Sequence, residues 1–387
     1  MCEDGGVSTP IPPWEPLSEP VLNDQRRAYD RMRAACPLAR SPRGVTLFRY
    51  ADVIAAAADP QTFSSDASDR RMVPNSLDPP EHGAYRAILD PFFTSDRMAA
   101  LEPRVRDAAR AIVAGLLHDA TVEVVTDIGY PFAVRAQTNW LGWQGLEDEL
   151  LAWMRTNHAA TRSKDRTHLA AVAAAFDDIV LAQVRRRRAM RDAAPDDPTT
   201  ELLHVTINGA LLPDADIVSI LRNWTAGDLA SIAAALGVVV HFLATHDDVQ
   251  AELRADPSAL PAAIDEMLRV DDPFLVNRRV TTTATHVAGY ALEPGTRIYL
   301  NWASANRDER VFGDPDAYRP DEHARHNLVY GTGIHACPGR PLATMELVVA
   351  TETLLAATTR IELAPDATPA RETYPLGGWS RVPVRLR

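Results

Sequence analysis

A single cysteine in a glycine-rich loop is the group in this sequence best placed to do chemistry. Cys337 lies in the segment Tyr330-Gly-Thr-Gly-Ile-His-Ala-Cys-Pro-Gly-Arg340, and a run with helical apolar spacing begins at Pro341. Cys337 is therefore expected at a helix N-terminus, where the dipole and free N–H groups favour a thiolate. A thiolate there could be a nucleophile, a zinc ligand or an axial ligand of haem.

Each of these interpretations has a plainer rival, because a lone cysteine is more often a small buried apolar residue. Zinc would need more ligands, and His335 is the one candidate close by in the sequence. A nucleophile would need a base and an oxyanion site, and the sequence identifies neither. The glycines at 331, 333 and 339 let the backbone come close to a bulky flat partner.

The same segment resembles the haem-binding signature of the cytochrome P450 superfamily, Phe-Gly-x-Gly-x-His-x-Cys-x-Gly, with Tyr330 in place of the phenylalanine. The resemblance covers roughly residues 20–387. It implies a mainly α-helical fold with minor β-structure, built as one large haem domain with a long central distal helix. It also implies haem b as the cofactor and Cys337 as its axial ligand. The same resemblance implies that the haem propionates are bound by His82, Arg86, Arg279 and His335.

The distal helix is predicted at 214–245, which is about 45–50 Å at 1.5 Å per residue. In the family this helix usually carries an acid followed directly by threonine. Here Asp228 stands three residues before Ser231, so the usual pair is broken although both side chains can face one cavity. The resemblance implies that Asp228 and Ser231 steer protons. A rearranged proton relay and a different chemistry both remain open.

A second match to the family is Glu266-Met-Leu-Arg269, which corresponds to its Glu-x-x-Arg motif. The two side chains share one helix face, and in the family they form a buried pair beneath the haem. Family members usually add a third basic group before the cysteine loop. Here glutamate stands at that place, so Arg319 or His323 is expected to serve instead.

The remaining chain is predicted to be mostly helical. Residues 1–19 are expected to form an extended N-terminal arm, and residues 20–387 a single domain. Apolar periodicity predicts helices at 23–35, 51–58, 96–117 and 146–190, a strand at 44–50, and a helix opening at 78–86. The irregular stretch 64–75, the distal helix and residues 275–277 are expected to line the substrate pocket. The run Arg185–Arg188 is interpreted as a solvated helix face.

Charge and hydropathy exclude several classes of protein. The net charge of −12 over 387 residues argues against nucleic-acid binding. The N-terminal residues lack the basic and apolar regions of a signal peptide. No apolar run approaches the length needed to span a bilayer. A cytoplasmic protein without membrane contact is therefore expected.

The expected reaction inserts one atom of O2 into a small organic substrate, from secondary metabolism or a xenobiotic, and consumes two electrons and two protons. One alternative is an atypical haem-thiolate oxidation, such as peroxide-driven oxidation, coupling, nitration or desaturation. The other is a haem sensor or carrier without turnover. The electrons are expected from a separate ferredoxin and its reductase, because Cys2 and Cys36 are too few for an iron–sulfur cluster. Arg340 is a candidate contact for an acidic partner.

Overall fold

The computed structural model describes residues 10–68, 70–116 and 121–387. The chain is 58% helical, as the predicted fold class requires. The helices of the described residues are α1 (Glu19–Asn23), α2 (Gln25–Ala35), α3 (Tyr50–Ala58), α4 (Glu81–Leu89), α5 (Ser95–Ala114), α6 (Tyr130–Leu141), α7 (Glu147–Ser163), α8 (Arg166–Met190), α9 (Pro198–Leu202), α10 (Asp214–Thr245), α11 (Asp247–Ala255), α12 (Leu260–Val270), α13 (Trp302–Ala305), α14 (Glu309–Phe312), α15 (Pro320–His323) and α16 (Arg340–Ala357).

The β-structure is a minor part of the fold. The strands of the described residues are β1 (Leu38–Ser41), β2 (Gly44–Leu47), β3 (Phe63–Ser64), β4 (Thr121–Glu123), β5 (Thr206–Ile207), β6 (Ala210–Leu211), β7 (Val276–Thr281), β8 (Thr285–Val287), β9 (Tyr290–Leu292), β10 (Arg297–Asn301), β11 (Ile361–Leu363), β12 (Ala370–Arg371), β13 (Trp379–Arg381) and β14 (Pro383–Leu386). A five-stranded sheet has the order β1-β2-β10-β7-β3, and β10 pairs with β2 in parallel. A three-stranded sheet has the order β11-β14-β4, and the other strands form three two-stranded ribbons.

The long helix α10 runs through the main core with the bounds that the sequence predicts. Asp214 and Asp216 lie in its first turn, where acidic groups complement the helix dipole. Most of its C-terminal part, residues 232–243, is buried, whereas residues 226–231 in its middle are mostly only partly buried. The segment 124–129 approaches it closely, because a Cβ on Gly129 would lie 3.1 Å from the Cα of Ala233. The distal helix is thus packed tightly against this neighbouring segment.

The predicted helix at 146–190 is wrong in one respect, because the chain breaks into α7 and α8. Lys164 ends α7 in the left-handed region at φ +61°. The Asp165 carboxylate then accepts from the N–H groups of Thr167 and His168 and caps α8. Apolar spacing continues across the break, which explains why periodicity alone predicts one helix.

The arginine run near the end of α8 is also not uniformly solvated. Arg187 is 3% exposed, and its Nη2 lies 2.7 Å from Oδ2 of Asp197. The same nitrogen donates to the carbonyl of Gly142. Arg187 therefore fastens α8 to the end of α6, and the prediction of a solvated face is wrong for this residue.

The predicted arm lies partly outside the described residues, which begin at residue 10. Its described part has no helix or strand before α1, although Pro13 forms an isolated bridge with Arg40. The Trp14 ring lies 5.4 Å from that of Phe48, centroid to centroid. The division of the chain at residue 19 stays a prediction.

Two helices within the described ranges are long and apolar enough to cross a membrane by length and composition, namely Arg166–Ala193 and Asp214–Thr245. The expectation that no apolar run approaches this length is therefore wrong. In Asp214–Thr245, 61% of the most apolar window is buried inside the protein. Because core helices pass the same test, this is weak evidence for a membrane span.

Candidate active site

The cysteine loop folds as a tight turn that presents the Cys337 thiol to a cavity. The Cys337 N–H donates to the Tyr330 carbonyl at 2.9 Å, which closes the loop. Gly333 has φ +74°, and a Cβ there would lie 2.5 Å from the carbonyl oxygen of Ala57, so only glycine fits. Arg86 holds the loop from the other side, because its Nη1 donates to the carbonyls of Ile334 and Ala336 at 3.0 Å each.

Two opposing effects act on the Cys337 thiol. Burial raises its pKa, whereas the N–H groups of Gly339 and Arg340, at the start of α16, lower it. The side chain lies deep in the protein, yet it is exposed because it faces the cavity rather than bulk solvent. The expectation of a favoured thiolate thus describes only the smaller of the two effects. A metal cation bound to the sulfur would reverse the balance, since a coordinating thiol is deprotonated.

The cavity has a volume of about 550 Å³ and separates the cysteine loop from α10. Its α10 wall includes Gly227, where a Cβ would meet nothing within 4 Å, so this glycine leaves open space instead of serving helix packing. Aromatic rings of Phe93, Trp140 and Trp224 close one side, with centroids 5.0–5.3 Å apart. The space therefore suits a large flat group held between Cys337 and α10.

Of the four residues expected to bind propionates, Arg279 and His335 line this cavity, whereas His82 contacts His335 and Arg86 binds the loop carbonyls. The rings of His82 and His335 lie 4.2 Å apart, and Nε2 of His335 is 2.8 Å from Oγ of Ser65. His82 is 3% exposed, and its Nε2 has no hydrogen-bond partner among the described residues. Arg279 is 6% exposed and lines the cavity together with His335. The exposed neighbour Arg278 does not line it.

Burial and neighbouring positive groups dominate the electrostatics of this cluster, and Asp78 and Asp90 offset them only in part. Burial, followed by His82, Arg279 and Arg86, lowers the pKa of His335 to about 3. Burial and Arg86 also lower the pKa of His82. Burial lowers the pKa of Arg279, and Asp78 opposes this effect. Carboxylates of a bound ligand would relieve all of these penalties.

On the distal side, Asp228 and Ser231 both line the cavity, as the sequence predicts. The Ser231 hydroxyl donates to the Asp228 backbone carbonyl at 3.3 Å, one turn back in the same helix. The Asp228 carboxyl instead meets Glu346 of α16, a residue that the sequence analysis missed. Glu346 is 0% exposed. Its place in the run Met345-Glu-Leu-Val348 was the available signal, because an acid within an apolar helix stripe is expected to be buried.

Asp228 and Glu346 form a buried carboxyl pair. Oδ2 of Asp228 and both carboxyl oxygens of Glu346 have no donor among the described residues. Burial raises the pKa of Asp228 to about 7 and raises that of Glu346 well above its usual range, with the charge of Asp228 adding to the second shift. Two ionised carboxylates have no proton to share, so the contact is a hydrogen bond only when one is protonated. Burial therefore favours a protonated form of the pair over two ionised carboxylates.

The Glu-x-x-Arg pair is buried, and its third member is His323. Arg269 donates to both carboxylate oxygens of Glu266 at 2.7 and 2.9 Å. Nδ1 of His323 lies 2.6 Å from Oε1 of Glu266. Arg319 reaches the same oxygen only through its backbone N–H, at 2.9 Å, and its guanidinium pairs with Glu322. Of the two candidates, the structure selects His323.

The irregular stretch over the cavity is tied to α10 through the backbone of Val73, and the Arg71 side chain adds an ion pair with Asp216 at 3.6 Å. The Val73 N–H donates to Oγ of Ser219 at 2.9 Å, and its carbonyl accepts from Nδ2 of Asn223 at 3.0 Å. The next residues, Pro74 and Asn75, line the cavity. Residues 275–277 line it as well, as predicted. We refer to the three contacting residues Val73, Ser219 and Asn223 as the main-chain clamp.

Comparison with known proteins identifies the class. The family model described as cytochrome P450 matches residues 150–369. The cyclomarin C epoxidase CymV of Salinispora arenicola is 31% identical over 82% of this chain and 84% of its own length. The erythromycin C-12 hydroxylase of Saccharopolyspora erythraea is 30% identical over 87% of this chain and 88% of its own. The solved structure of open cytochrome P450 EryK from S. erythraea superposes with a TM-score of 0.87 at 26% identity, covering 96% of this chain and 98% of that one.

The chain belongs to the cytochrome P450 family. It is a P450 monooxygenase, and its relatives are bacterial hydroxylases and epoxidases. A haem cofactor, a small-molecule substrate, O2 and redox partners follow from membership of the family.

Proposed function

We propose that this chain binds haem b through Cys337 and inserts one atom of O2 into a small organic secondary metabolite. The observation that carries the proposal is the placement of the Cys337 thiol and Asp228 in the walls of one cavity. The substrate class is suggested by the relatives, whose names refer to cyclomarin C, erythromycin and nocardicin C. The balanced reaction is RH + O2 + 2e⁻ + 2H⁺ → ROH + H2O.

The residues of the cavity fit haem b. Its carboxylates would find the unpartnered Nε2 of His82, the guanidinium of Arg279 and the ring of His335. Arg86 would act mainly through the loop, because its Nη1 already binds the carbonyls of Ile334 and Ala336 and its Nε binds Asp90 at 2.6 Å. We propose all four as propionate-binding residues, with Arg86 also positioning the loop.

The haem supplies O2 binding and oxygen-atom transfer, and its thiolate ligation favours O–O cleavage. The chain itself supplies ligation, orientation and protons. Cys337 binds as a thiolate whose charge is stabilised by the N–H groups of Gly339 and Arg340. The aromatic wall of Phe93, Trp140 and Trp224 excludes water from the reacting groups.

Proton delivery is the step in which this chain departs from the usual acid–threonine pair. We propose that Asp228 holds a proton at its carboxyl oxygen, shared with Glu346, and passes it into the cavity beside Ser231. With its pKa near 7, Asp228 can both give up and recover a proton at physiological pH. Ser231 would relay through its hydroxyl, after turning away from the Asp228 carbonyl.

The electrons are proposed to come from a cytoplasmic ferredoxin and its reductase on separate chains. Arg340, expected to meet an acidic partner, has a side chain that is 60% exposed near the cysteine loop. It already pairs with Asp265 at 2.8 Å, so part of its charge is neutralised. An acidic partner would compete with Asp265 for this guanidinium, and added salt would slow the reaction.

The atypical oxidations remain a second candidate, because the family's usual acid–threonine pair is broken here, with Asp228 three residues before Ser231. The named relatives are enzymes, which favours turnover over a sensor or carrier.

The test has two stages. The reduced protein with carbon monoxide is expected to show the band of thiolate-ligated haem, and Cys337→Ser is expected to lose it while Ser231→Ala keeps it. Macrolactones and cyclic peptides are then screened for a change in haem spin state, and hits are assayed for NAD(P)H use with ferredoxin and its reductase. A Cys337→Ser protein that kept the band would refute the ligand assignment. Equal turnover with hydrogen peroxide and no reductant would favour the second candidate.

A further inference from the structure

Asn277 lies in the cavity wall with its amide held in one orientation. The indole Nε1 of Trp302 donates to Oδ1 of Asn277 at 2.6 Å. An indole N–H can only donate, so the amide must turn its oxygen toward Trp302. The Nδ2 group, with two N–H donors, is consequently directed away from Trp302. Asn277 is an exposed residue of β7 and lines the cavity, as Trp302 does.

The residue that fixes this orientation is itself held firmly. Trp302 is 5% exposed and packs in the core cluster beneath the five-stranded sheet. Its ring also lies against the cysteine loop, because Cζ2 is 3.9 Å from where a Cβ on Gly331 would stand. The register of β10 against β7 places Leu300 opposite Asn277, two residues before Trp302. The indole therefore has little freedom to follow a turning amide.

Strand β7 places Asn277 close to Arg279, which is proposed to bind a haem propionate. Residues two apart on a strand face the same side, about 7 Å apart, so Asn277 and Arg279 share one face of β7. Both line the cavity, whereas Arg278 between them does not. A carboxylate bound by Arg279 would lie within reach of the Asn277 donors.

We infer that Asn277 is a fixed hydrogen-bond donor for an acceptor oxygen lodged in the cavity, and that Trp302 is its positioning residue. The inference rests on the proposed function. The acceptor has two possible sources with the same chemistry: a haem propionate, or a carbonyl or ether oxygen of the substrate. The neighbouring Arg279 favours the propionate.

The decisive variant is Asn277→Asp. It is nearly isosteric and keeps an oxygen for the Trp302 indole, but it replaces the donor with an acceptor. Asn75→Asp is the matched control, because it adds the same charge to another exposed asparagine that lines the cavity. Asn277→Ser is the second variant, in case the aspartate impairs folding. Trp302→Phe keeps an aromatic ring but frees the amide to turn.

The first arm measures the rate of haem transfer from each holoprotein to apomyoglobin. If the acceptor is a propionate, Asn277→Asp accelerates transfer by roughly tenfold or more, and Asn277→Ser and Trp302→Phe by less. Asn75→Asp stays near the wild-type rate. This is the result we expect.

The second arm uses two azoles that bind haem iron through the same nitrogen, para-acetylphenyl imidazole and para-ethylphenyl imidazole, together with their meta isomers. If the acceptor is a substrate oxygen, the wild type prefers an acetyl compound over its ethyl partner by roughly threefold to tenfold. Asn277→Asp abolishes that preference while haem transfer is unchanged.

The inference is overturned if the Asn277 variants match the wild type in both haem transfer and azole preference. It is also overturned if Asn75→Asp changes both measurements as much as Asn277→Asp does, since cavity charge alone would then account for the effect. A wild-type protein without the thiolate-type carbon monoxide band would instead refute the proposed function.

Discussion

Replacing one acid of the buried carboxyl pair is expected to stabilise the protein, and to do so more strongly as pH rises. Asp228→Asn removes a carboxyl whose pKa is raised by burial from an ordinary 3.8 to about 7. A raised pKa means that the folded state binds the proton more tightly than the unfolded state. The stability associated with that proton is complete below pH 3.8 and is lost as pH rises to about 7.

The size of this stabilisation follows from the pKa shift of Asp228. Each pKa unit corresponds to ~1.4 kcal/mol, so this carboxyl destabilises the fold by ~2 kcal/mol at pH 5 and by ~4 kcal/mol at pH 7. These figures are upper limits, because Glu346 shares the proton and part of the cost. At ~2.1 cal/mol/K of unfolding entropy per residue, 1 kcal/mol corresponds to ~1.2 °C in Tm for a chain of 387 residues. The Asp228→Asn variant should therefore gain up to ~2 °C at pH 5 and up to ~5 °C at pH 7.

The assay is the difference in Tm between variant and wild-type ferric holoprotein, measured by circular dichroism from pH 5 to pH 8. Glu346→Gln is expected to behave in the same way. Asp366→Asn is the matched control, because the Asp366 side chain is 87% exposed and its replacement should give a small difference that does not grow with pH. A difference for Asp228→Asn that is flat or falls with pH would refute the reasoning.

Three further outcomes are expected. Asp228→Asn should also raise peroxide release per NAD(P)H during turnover, because the proton held by the pair is lost; unchanged coupling in both this variant and Ser231→Ala would exclude the relay. His323→Leu should lower the free energy of unfolding, measured in urea, by ~1–3 kcal/mol, because the buried Oε1 of Glu266 loses its partner at 2.6 Å. Arg319→Ala should lower it by less than ~0.5 kcal/mol, because Arg319 contacts Glu266 through its backbone N–H. Gly129→Val should lower Tm through overpacking, since a Cβ would lie 3.1 Å from the Cα of Ala233; an unchanged Tm would mean that the segment 124–129 shifts freely.

Much of the fold could be predicted because the residues that start and stop its main helices are close together in the sequence. The distal helix, 214–245, carries its own start signals in Pro213 and the acids that follow it. The break between α7 and α8 depends on a single left-handed residue, Lys164, which has no side-chain signature for that conformation. Apolar periodicity indicates which face of a helix is buried. Because the buried faces of α7 and α8 continue the same apolar spacing, periodicity does not show the break between them.

Site residues could be predicted where they belong to a contiguous sequence motif. They could not be predicted where their role depends on contact between residues far apart in the chain. Cys337 stands in a motif of contiguous residues, and the cavity contains it. The burial of Glu346 could be predicted from its apolar helix stripe, but its pairing with Asp228, more than one hundred residues earlier in the chain, could not. Choosing His323 over Arg319 likewise required the direction of each side chain from the backbone. Spacing along a chain does not contain that information.

The main-chain clamp makes the anchorage of the irregular stretch largely independent of the side chains that shape the cavity wall. Ser219 and Asn223 bind the N–H and carbonyl of Val73, so these two hydrogen bonds depend on no side chain of the stretch, although the Arg71 side chain adds an ion pair with Asp216. Pro74 and Asn75, which contribute to the cavity wall, follow the gripped residue directly. A substitution of Asn75 can remodel the shape offered to a ligand while the hydrogen bonds of the Val73 backbone to the distal helix are kept. For an engineer who wishes to redirect the enzyme to new compounds, Asn75 is therefore an exposed position of the wall that can be varied.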